Sequence, residues 1–361
     1  MKRVFISGLG AVSPAGWSVG EMRQALKRGE PIPTQSVERP GSPKSLRFRP
    51  VPPLAARPAF LNHPRLRRVS PLSHYAAAAA LEAIAQYQAA REHSIQREAS
   101  LHAPTLPRSD APTRLGLILC LQTGQVQYVS RFLEEIFKDP ATASPLVFPE
   151  TVFAAPISHI AAVLGHAPVA YTLLGDPGSF LAGLALAAQW LEDYSLDACL
   201  VVGAEELNWV LIEALWQFQH QPIASAGAGA ICVSANEAAS LGIELNAITS
   251  VHTYSSRTGP AQAACAMRAE LPTRSPGELL CDGLGGARRS AIAEQAAWRD
   301  WTGPRLSPKQ VLGEGLMAAA AWQCVAACDA VATGRFPAAT VSLVGCDQQA
   351  IGARFVATGS G

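Results

Sequence analysis

Several patterns that would assign a protein to a common functional class are missing from this chain of 361 residues. Its eight cysteines form no Cys-x-x-Cys pair and have no histidine nearby at ligand spacing, which favours buried, reduced thiols over a zinc site or disulfides. The net charge of +1 gives no reason to expect binding to nucleic acid or a membrane. No charged leader precedes the first apolar strand, and the alanine-rich runs are amphipathic or core-like. We therefore expect a cytoplasmic, globular chain with neither metal nor cofactor.

The clearest local organisation lies between residues 168 and 205. An alternating apolar run, 169–174, breaks at Gly175-Asp176-Pro177-Gly178, and an alanine- and leucine-rich segment then leads to a second apolar run that ends at Glu205. This pattern predicts a strand, an elbow, a helix and a second strand. A residue at such an elbow is raised above the end of the strand and faces the positive end of the next helix. The residue in that position is Asp176.

This stretch resembles the β-ketoacyl synthases of the thiolase superfamily. In that family a Gly-Pro-Ser strand leads into a Thr-Ala-Cys elbow, a helix of small residues and a strand that ends in Gly-Ala-Glu. Counted from Pro168 without gaps, Asp176 takes the position of the nucleophilic cysteine, and Gly203-Ala204-Glu205 ends the second strand as in the family. The opening run VFISGLGAVSPAGWSV resembles the first strand and glycine turn of ketosynthases, whereas the remaining residues of a dinucleotide fingerprint are not in register.

The second half of the chain also resembles the ketosynthases and also lacks their catalytic residues. Ketosynthases carry two active-site histidines there, but no histidine follows His252 in this sequence. The run 281–286 matches the turn of the first histidine and places Asp282 at its position. The run 307–314 matches the Lys-x-x-Ile-Gly-His turn, retains the lysine as Lys309, and places Glu314 at the second histidine.

The resemblance implies an α/β chain with a thiolase-like fold, in which two similar halves form a layered α-β-α-β-α sandwich. We place the N-terminal half at residues 1–236, with surface loops near 31–64 and 92–113, and the C-terminal half at residues 237–361. The two loop regions are rich in proline and polar residues and show little periodicity.

Three functions remain open at this stage. Condensation needs a thiolate for the acyl chain and two imidazoles for the enolate, and a set of three carboxylates can replace neither. The first alternative is a non-condensing subunit of the chain length factor type, acting in polyketide, aryl polyene or fatty acid biosynthesis. The second is an enzyme of different chemistry that uses Asp176, Asp282 and Glu314 as acid and base groups or as ligands of Mg or Mn. The third is a scaffold in which Asp176 only caps a helix. If the carboxylates cluster, we expect at least one raised pKa, and either a proton is shared, a cation is bound, or a base such as Lys309 pairs with one of them. We favour pairing or protonation over a metal.

The resemblance also implies partners. Ketosynthases dimerise through the strand that precedes the elbow, so we expect an active β-ketoacyl synthase to pair with this chain as a heterodimer through that strand: Val169, Ala170, Tyr171, Thr172, Leu173 and Leu174. An acyl carrier protein is a second candidate partner, because Arg65, Arg67 and Arg68 form a basic group before a helix. A solvated basic helix start is the alternative interpretation of these arginines. We expect neither nucleic acid nor a membrane as a partner.

Overall fold

The computed structural model describes residues 3–39, 41, 43, 45–101, 113–165, 169–219, 222–255, 259–272, 277–346 and 348–359. The strands in these ranges are β1 (Phe5–Val12), β2 (Gln35–Val37), β3 (Leu46–Arg49), β4 (Leu115–Leu121), β5 (Val169–Leu174), β6 (Ala198–Glu205), β7 (Ala224–Ser225), β8 (Gly227–Ser234), β9 (Ile243–Ile248), β10 (His252–Thr253), β11 (Leu279–Cys281), β12 (Arg305–Leu306), β13 (Ala338–Val344) and β14 (Gln349–Ala357).

The α-helices are α1 (Val19–Arg28), α2 (Pro71–Leu101), α3 (Val126–Lys138), α4 (Ala155–Leu164), α5 (Ser179–Asp193), α6 (Trp209–Phe218), α7 (Gly259–Glu270), α8 (Arg288–Ala297), α9 (Pro308–Leu312) and α10 (Met317–Ala332). Short 3-10 helices lie at Ala59–Asn62, Pro64–Leu66, Pro140–Thr142, Phe148–Thr151 and Glu237–Ala239.

The main sheet has two halves with the same design. Its strand order is β12-β11-β13-β14-β9-β1-β8-β6-β4-β5, and the two halves meet where β1 pairs with β9. Outward from that junction, each half has two antiparallel pairings followed by two parallel ones. In both halves the chain visits the positions in the same sequence: first, fourth, fifth, third and second. The strand arrangement therefore repeats within the chain, while the boundary near residue 236 stays a prediction.

Five layers follow from the way these elements bury their apolar faces. Helices α5 and α10 lie in a shared core with residues from both halves of the sheet. Helices α2 and α4 cover the other face of the first half, and α7 and α8 cover the other face of the second half. The predicted α/β thiolase-like fold with a layered α-β-α-β-α arrangement is thereby confirmed.

Gly8 and Gly10 explain the Gly-Leu-Gly run at the start of the chain. A β-carbon on Gly8 would lie 1.9 Å from the carbonyl oxygen of Ala83, and one on Gly10 would lie 1.9 Å from that of Ala79. The two glycines therefore let the backbone of α2 lie directly on β1. The run serves close helix packing.

Helix α10 is narrow because its sequence, MAAAAWQCVAACDAVA, consists mainly of small residues. Every residue from 317 to 331 is buried, so the helix fits between the two halves of the sheet. Its one large aromatic side chain, Trp322, donates from Nε1 to the backbone oxygens of Val12 and Ala228, at 3.0 Å each. The helix is thus tied to the first half of the sheet by a buried polar group.

Two regions predicted as loops are more regular than their sequences suggest. Residues 31–64 contain β2 and β3, and β3 pairs in parallel with β7, so that Phe48 lies opposite Ala224. Helix α2 continues to Leu101, which makes the first part of the predicted 92–113 loop helical, and residues 102–112 lie outside the described residues. The loop prediction for 92–101 was therefore wrong, because residues 92–101 contain no proline or glycine to end the helix.

We expect Gly10→Ala to lower the free energy of unfolding by about 3 kcal/mol, because the added methyl group would overlap a backbone carbonyl that cannot rotate away. Gly20→Ala is the matched control, since Gly20 lies in α1 and its added methyl group would find no atom closer than Ser18 Oγ at 3.8 Å. The control should be neutral or stabilise by up to about 1 kcal/mol. Urea denaturation of the three proteins measures the difference, and equal effects of the two substitutions would contradict the packing argument.

Candidate functional site

The chain has an elbow at the same place in each half. Asp176 follows β5 and precedes α5, and Glu314 follows β12 and α9 and precedes α10. Both carboxyl groups are buried, with residue exposures of 5% for Asp176 and 0% for Glu314. The two residues that the sequence resemblance aligns with the ketosynthase nucleophile and the second histidine thus lie at corresponding places in the two halves.

The Asp176 carboxylate binds a turn that is distant in sequence. It accepts hydrogen bonds from the backbone N–H groups of Cys346 at 2.9 Å and of Gln348 and Gln349 at 3.1 Å each. The backbone at the start of α5 is satisfied separately, since Ser179 N donates to the carbonyl oxygen of Asp176 at 2.8 Å. The residue at the N-cap position is Gly178, and it makes no capping bond through a side chain. The interpretation of Asp176 as a helix cap was therefore wrong.

The turn that binds Asp176, residues 345–349, is also held from the opposite side. The carbonyl oxygen of Gly345 accepts from Tyr254 Oη at 2.6 Å and from Ser290 Oγ at 2.5 Å. A methyl group on Gly345 would overlap the Asp176 carboxylate, because it would lie 1.7 Å from Oδ2. The elbow and the turn consequently form one close-packed unit, and the N–H groups that face the elbow are occupied by a side chain of the protein itself.

Glu314 forms a buried ion pair with Lys309. The distance from Lys309 Nζ to Glu314 Oε2 is 2.8 Å, and the carboxylate also accepts from the N–H groups of Ala287 at 3.2 Å and Leu316 at 2.9 Å. Burial is the largest single effect and lowers the pKa of Lys309, but Glu314, Cys346 and Glu294 together outweigh it and leave that pKa above its ordinary value. The lysine therefore stays charged beside the Glu314 carboxylate.

Leu316, next to this pair, has a backbone conformation that is rare for a residue with a side chain. Its φ is 50° and its ψ is −117°, at the first step into α10. Such a conformation costs on the order of 1 to 3 kcal/mol. Its N–H group binds the Glu314 carboxylate, so the strained residue contributes to holding the buried charge.

Asp282, which the sequence resemblance aligns with the first histidine, lies in a third network of hydrogen bonds and an ion pair. It accepts from Ser307 Oγ at 2.5 Å and from Leu284 N at 3.2 Å, and Arg305 forms an ion pair with it at 3.3 Å. Burial raises the pKa of Asp282 above its usual value in spite of these donors. The pKa of at least one of the three acidic side chains is thus raised, as expected for a buried carboxyl group.

Glu294 of α8 was missed by the sequence analysis and faces the same turn. Its carboxylate accepts from Gly283 N at 2.7 Å, and burial, followed by the charge of Asp282, raises the pKa of Glu294 to about 8. This side chain is therefore mostly protonated at pH 7. Nothing in the local sequence of α8 marks it, because its role depends on the turn that folds against it.

The turn after β11 brings Asp282 and the Glu314 pair into one region. A methyl group on Gly286 would lie 2.2 Å from Glu314 Oε2 and 2.6 Å from Lys309 Cδ. None of the hydrogen bonds or ion pairs described here joins Asp176, Asp282 or Glu314 to one another. Within the described ranges, no group of three or more His, Cys, Asp and Glu side chains is placed so that it could hold a metal ion. Each carboxylate acts as an acceptor that connects two parts of the chain.

Glu205, the last residue of the Gly-Ala-Glu run, has a comparable role at the end of β6. It accepts from Gln122 N at 2.6 Å and from the hydroxyl group of Thr123, both of which follow β4. Burial raises the pKa of Glu205 to about 8. The carboxyl ends of β4 and β6 are thus connected by a side chain that is largely neutral at pH 7.

Strand β5 lies at the end of the main sheet and pairs along one side with β4. Its outward residues Val169, Tyr171 and Leu174 are 43%, 53% and 51% exposed, Ala170 is also exposed, and Thr172 and Leu173 are half-buried. The strand is therefore an apolar edge that could accept another strand. Its predicted role as a dimer interface stays a prediction.

The three arginines predicted to bind a carrier protein, Arg65, Arg67 and Arg68, are exposed just before α2. This exposure is compatible with either interpretation of the basic group. No helix in the described ranges combines the length and apolarity that a bilayer crossing requires.

The fold defined by these elements is that of the ketosynthases. The chain resembles solved structures described as "The ishigamide ketosynthase/chain length factor", with a TM-score of 0.71, 20% identity and coverage of 99% of this chain and 100% of that chain. It also resembles a β-ketoacyl synthase from Burkholderia phymatum, with a TM-score of 0.74, 16% identity and coverage of 99% and 100%.

A third similar structure is the ketosynthase ApeO in complex with its chain length factor ApeC from Xenorhabdus doucetiae, with a TM-score of 0.73, 15% identity and coverage of 99% and 98%. No family model and no curated protein matches the chain. At these identities the likeness establishes the fold, and the functional assignment rests on the site.

We expect Asp176→Ala to lower the melting temperature, because it leaves the N–H groups of Cys346, Gln348 and Gln349 without their acceptor, at a cost of about 3 kcal/mol. Formate, a small carboxylate that fits the vacated space, should restore part of the loss, while chloride at the same ionic strength should not. Asp193→Ala, an exposed position at the far end of α5, is the control. Thermal unfolding measures both variants, and an equal response of the two to formate would refute the assignment.

Proposed function

We propose that this chain is a non-condensing ketosynthase-like subunit of the chain length factor type, which pairs with an active β-ketoacyl synthase in polyketide, aryl polyene or fatty acid biosynthesis. The observation that carries the proposal is the elbow, where the Asp176 carboxylate stands at the nucleophile position and binds the 345–349 turn. A ketosynthase scaffold is thus retained around a site whose polar groups bind one another.

The neighbouring structures support the same assignment. They include a ketosynthase/chain length factor, a ketosynthase in complex with its chain length factor, and a keto synthase-chain length factor. Another similar structure is an acyl-carrier protein in complex with its ketosynthase. By this likeness we propose an active ketosynthase as the first partner, and an acyl carrier protein that meets Arg65, Arg67 and Arg68 as the second. The reduced cysteines favour a cytoplasmic location.

The surface that we propose for the ketosynthase partner has two parts. The first is the edge of β5, where a partner strand would add antiparallel and continue the sheet. The second is the apolar side of α3 and the segment after it, where Phe137, Leu146 and Phe148 are 82%, 70% and 55% exposed. Helix α4 contacts β5 and also the 148–151 helix, which packs on α3. Together these parts would bury on the order of 2,000 Å² in an obligate contact.

Co-expression with the ketosynthase encoded nearest to this chain in its genome should give a 1:1 complex, and Tyr171→Asp should abolish it. The substitution places a charge in the middle of the β5 edge, where a partner strand would desolvate it. Ile292→Asp is the control, because Ile292 is 57% exposed on α8 in the other half of the chain. Size-exclusion chromatography with light scattering measures the complex.

Two outcomes would contradict the proposed interface. One is a wild-type chain that stays monomeric at micromolar concentration and does not alter the activity or product length of the ketosynthase when the two are mixed. The other is a complex that Tyr171→Asp and Ile292→Asp weaken equally.

We expect the isolated chain to release no more carbon dioxide from malonyl-carrier protein than a control without protein. The site offers no thiolate at the elbow, and Asp282 and Glu314 stand where decarboxylation would need imidazoles. The measurement is trapping of labelled carbon dioxide. Release above the control that disappears in Asp176→Ala would instead show an independent activity at the elbow.

A further inference from the structure

Helix α3 packs on the 140–142 and 148–151 helices and is also held by polar bonds at its first turn. None of its residues is fully buried, and Leu133 and Phe137 are 43% and 82% exposed. An amphipathic helix of 13 residues normally owes its stability to an apolar face packed on a core. Because α3 has no fully buried residue, the bonds at its first turn contribute to its position together with these contacts.

Those bonds come from residues 206–208, which follow β6. Glu206 Oε1 accepts from Gln127 N at 2.8 Å, and Gln127 Nε2 donates to the carbonyl oxygen of Leu207 at 2.9 Å. Asn208 Nδ2 donates to Ser130 Oγ at 2.7 Å. We refer to residues 206–208 and the first turn of α3 as the polar clasp.

Glu206 is the centre of the polar clasp, because its second oxygen binds another helix. Oε2 accepts from Leu72 N at 3.0 Å, at the start of α2, so the N-termini of two helices converge on one fully buried carboxyl group. The helix N-termini favour the ionised form, whereas burial opposes it. Burial has the larger effect and raises the pKa of Glu206 to about 7.

We propose that Glu206 makes the docking of α3 sensitive to pH, so that the protonated side chain keeps the polar clasp closed and its ionisation favours a state in which α3 lifts away and water reaches the carboxylate. The direction follows from linkage. A carboxyl group that is harder to ionise in the closed state than in water stabilises the closed state at low pH and loses that contribution as the pH rises from about 4.5 to about 7.

A consequence for association rests on the proposed function. If the partner ketosynthase contacts α3 in its docked position, binding should be coupled to proton uptake by Glu206. Association should then weaken as the pH rises over the same range.

Other titratable groups near Glu206 must be distinguished from it. Glu205 is the adjacent buried acid, but its bonds go to Gln122 and Thr123, outside α3. Tyr75 from α2 and Tyr128 from α3 face Glu206, and burial raises both of their pKa values further above neutrality. Arg68 is the cationic side chain near Tyr128.

One further pair lies in the region, on elements that pack against α3. His159 Nε2 of α4 contacts Glu150 of the 148–151 helix at 3.0 Å, and that helix packs on α3. This histidine–carboxylate pair is the main alternative source of a pH effect on α3.

The test is hydrogen exchange of the α3 amides between pH 5 and pH 7, corrected for the intrinsic exchange rates. In the wild-type chain the protection of residues 126–138 should fall by about tenfold or more as the pH rises. Glu206→Gln should keep high protection that does not change with pH. Glu205→Gln, the matched control, and His159→Gln should both retain the wild-type dependence.

Unchanged protection of α3 in the wild-type chain, or the same pH dependence in Glu206→Gln, would overturn the proposal. If Glu206→Gln fails to fold, Asn208→Ala replaces it. Loss of a neutral bond of the polar clasp should lower the protection of α3 at every pH without changing how steeply the protection falls as the pH rises. A different steepness in that variant would contradict the proposed role of Glu206.

Partner binding is measured separately at pH 6 and pH 7.5. Weaker binding at the higher pH in the wild-type chain, and no such change in Glu206→Gln, would support the coupling. A chain that binds no ketosynthase at either pH would refute the proposed function, while the exchange result for α3 would still decide the role of Glu206.

Discussion

The central constraint on this structure is that α5 and α10 begin between two halves of one sheet, at positions with little access to water. Every polar group where these helices begin must therefore find its partner within the protein. Asp176 meets this requirement by binding the 345–349 turn, and Glu314 meets it by pairing with Lys309. The arrangement explains why three acidic side chains can be buried around one region without a shared counter-ion.

The local pattern of the sequence was sufficient for much of the fold. The strand, elbow, helix and strand around Asp176 could be predicted because alternation, glycine and proline mark their boundaries within a few residues. These features are decided by neighbours in the sequence, so a single chain contains the necessary information. The turn around Lys309, in contrast, was placed by its resemblance to the lysine turn of ketosynthases.

Features that depend on distant parts of the chain could not be predicted. Residues 46–49 form a strand that pairs with β2 and also with residues 224–225, which are distant in the sequence. The Asp-Pro pair at the elbow is a favourable cap sequence, but the carboxylate binds backbone groups about 170 residues away instead. Glu206 and Glu294 lacked any local signal, since their ionisation is set by elements that come together only in the folded protein.

The distribution of the cysteines has a practical consequence. Seven of the eight thiols are buried, several in and around α10, and burial raises the pKa of Cys281, Cys324 and Cys328 well above the ordinary value. Buried thiols of this kind react slowly with maleimides and other alkylating reagents. Cys265, exposed on α7, is therefore a natural single attachment point for a fluorophore. It lies in the half of the chain opposite β5, so the native sequence already contains a reporter position away from the apolar edge.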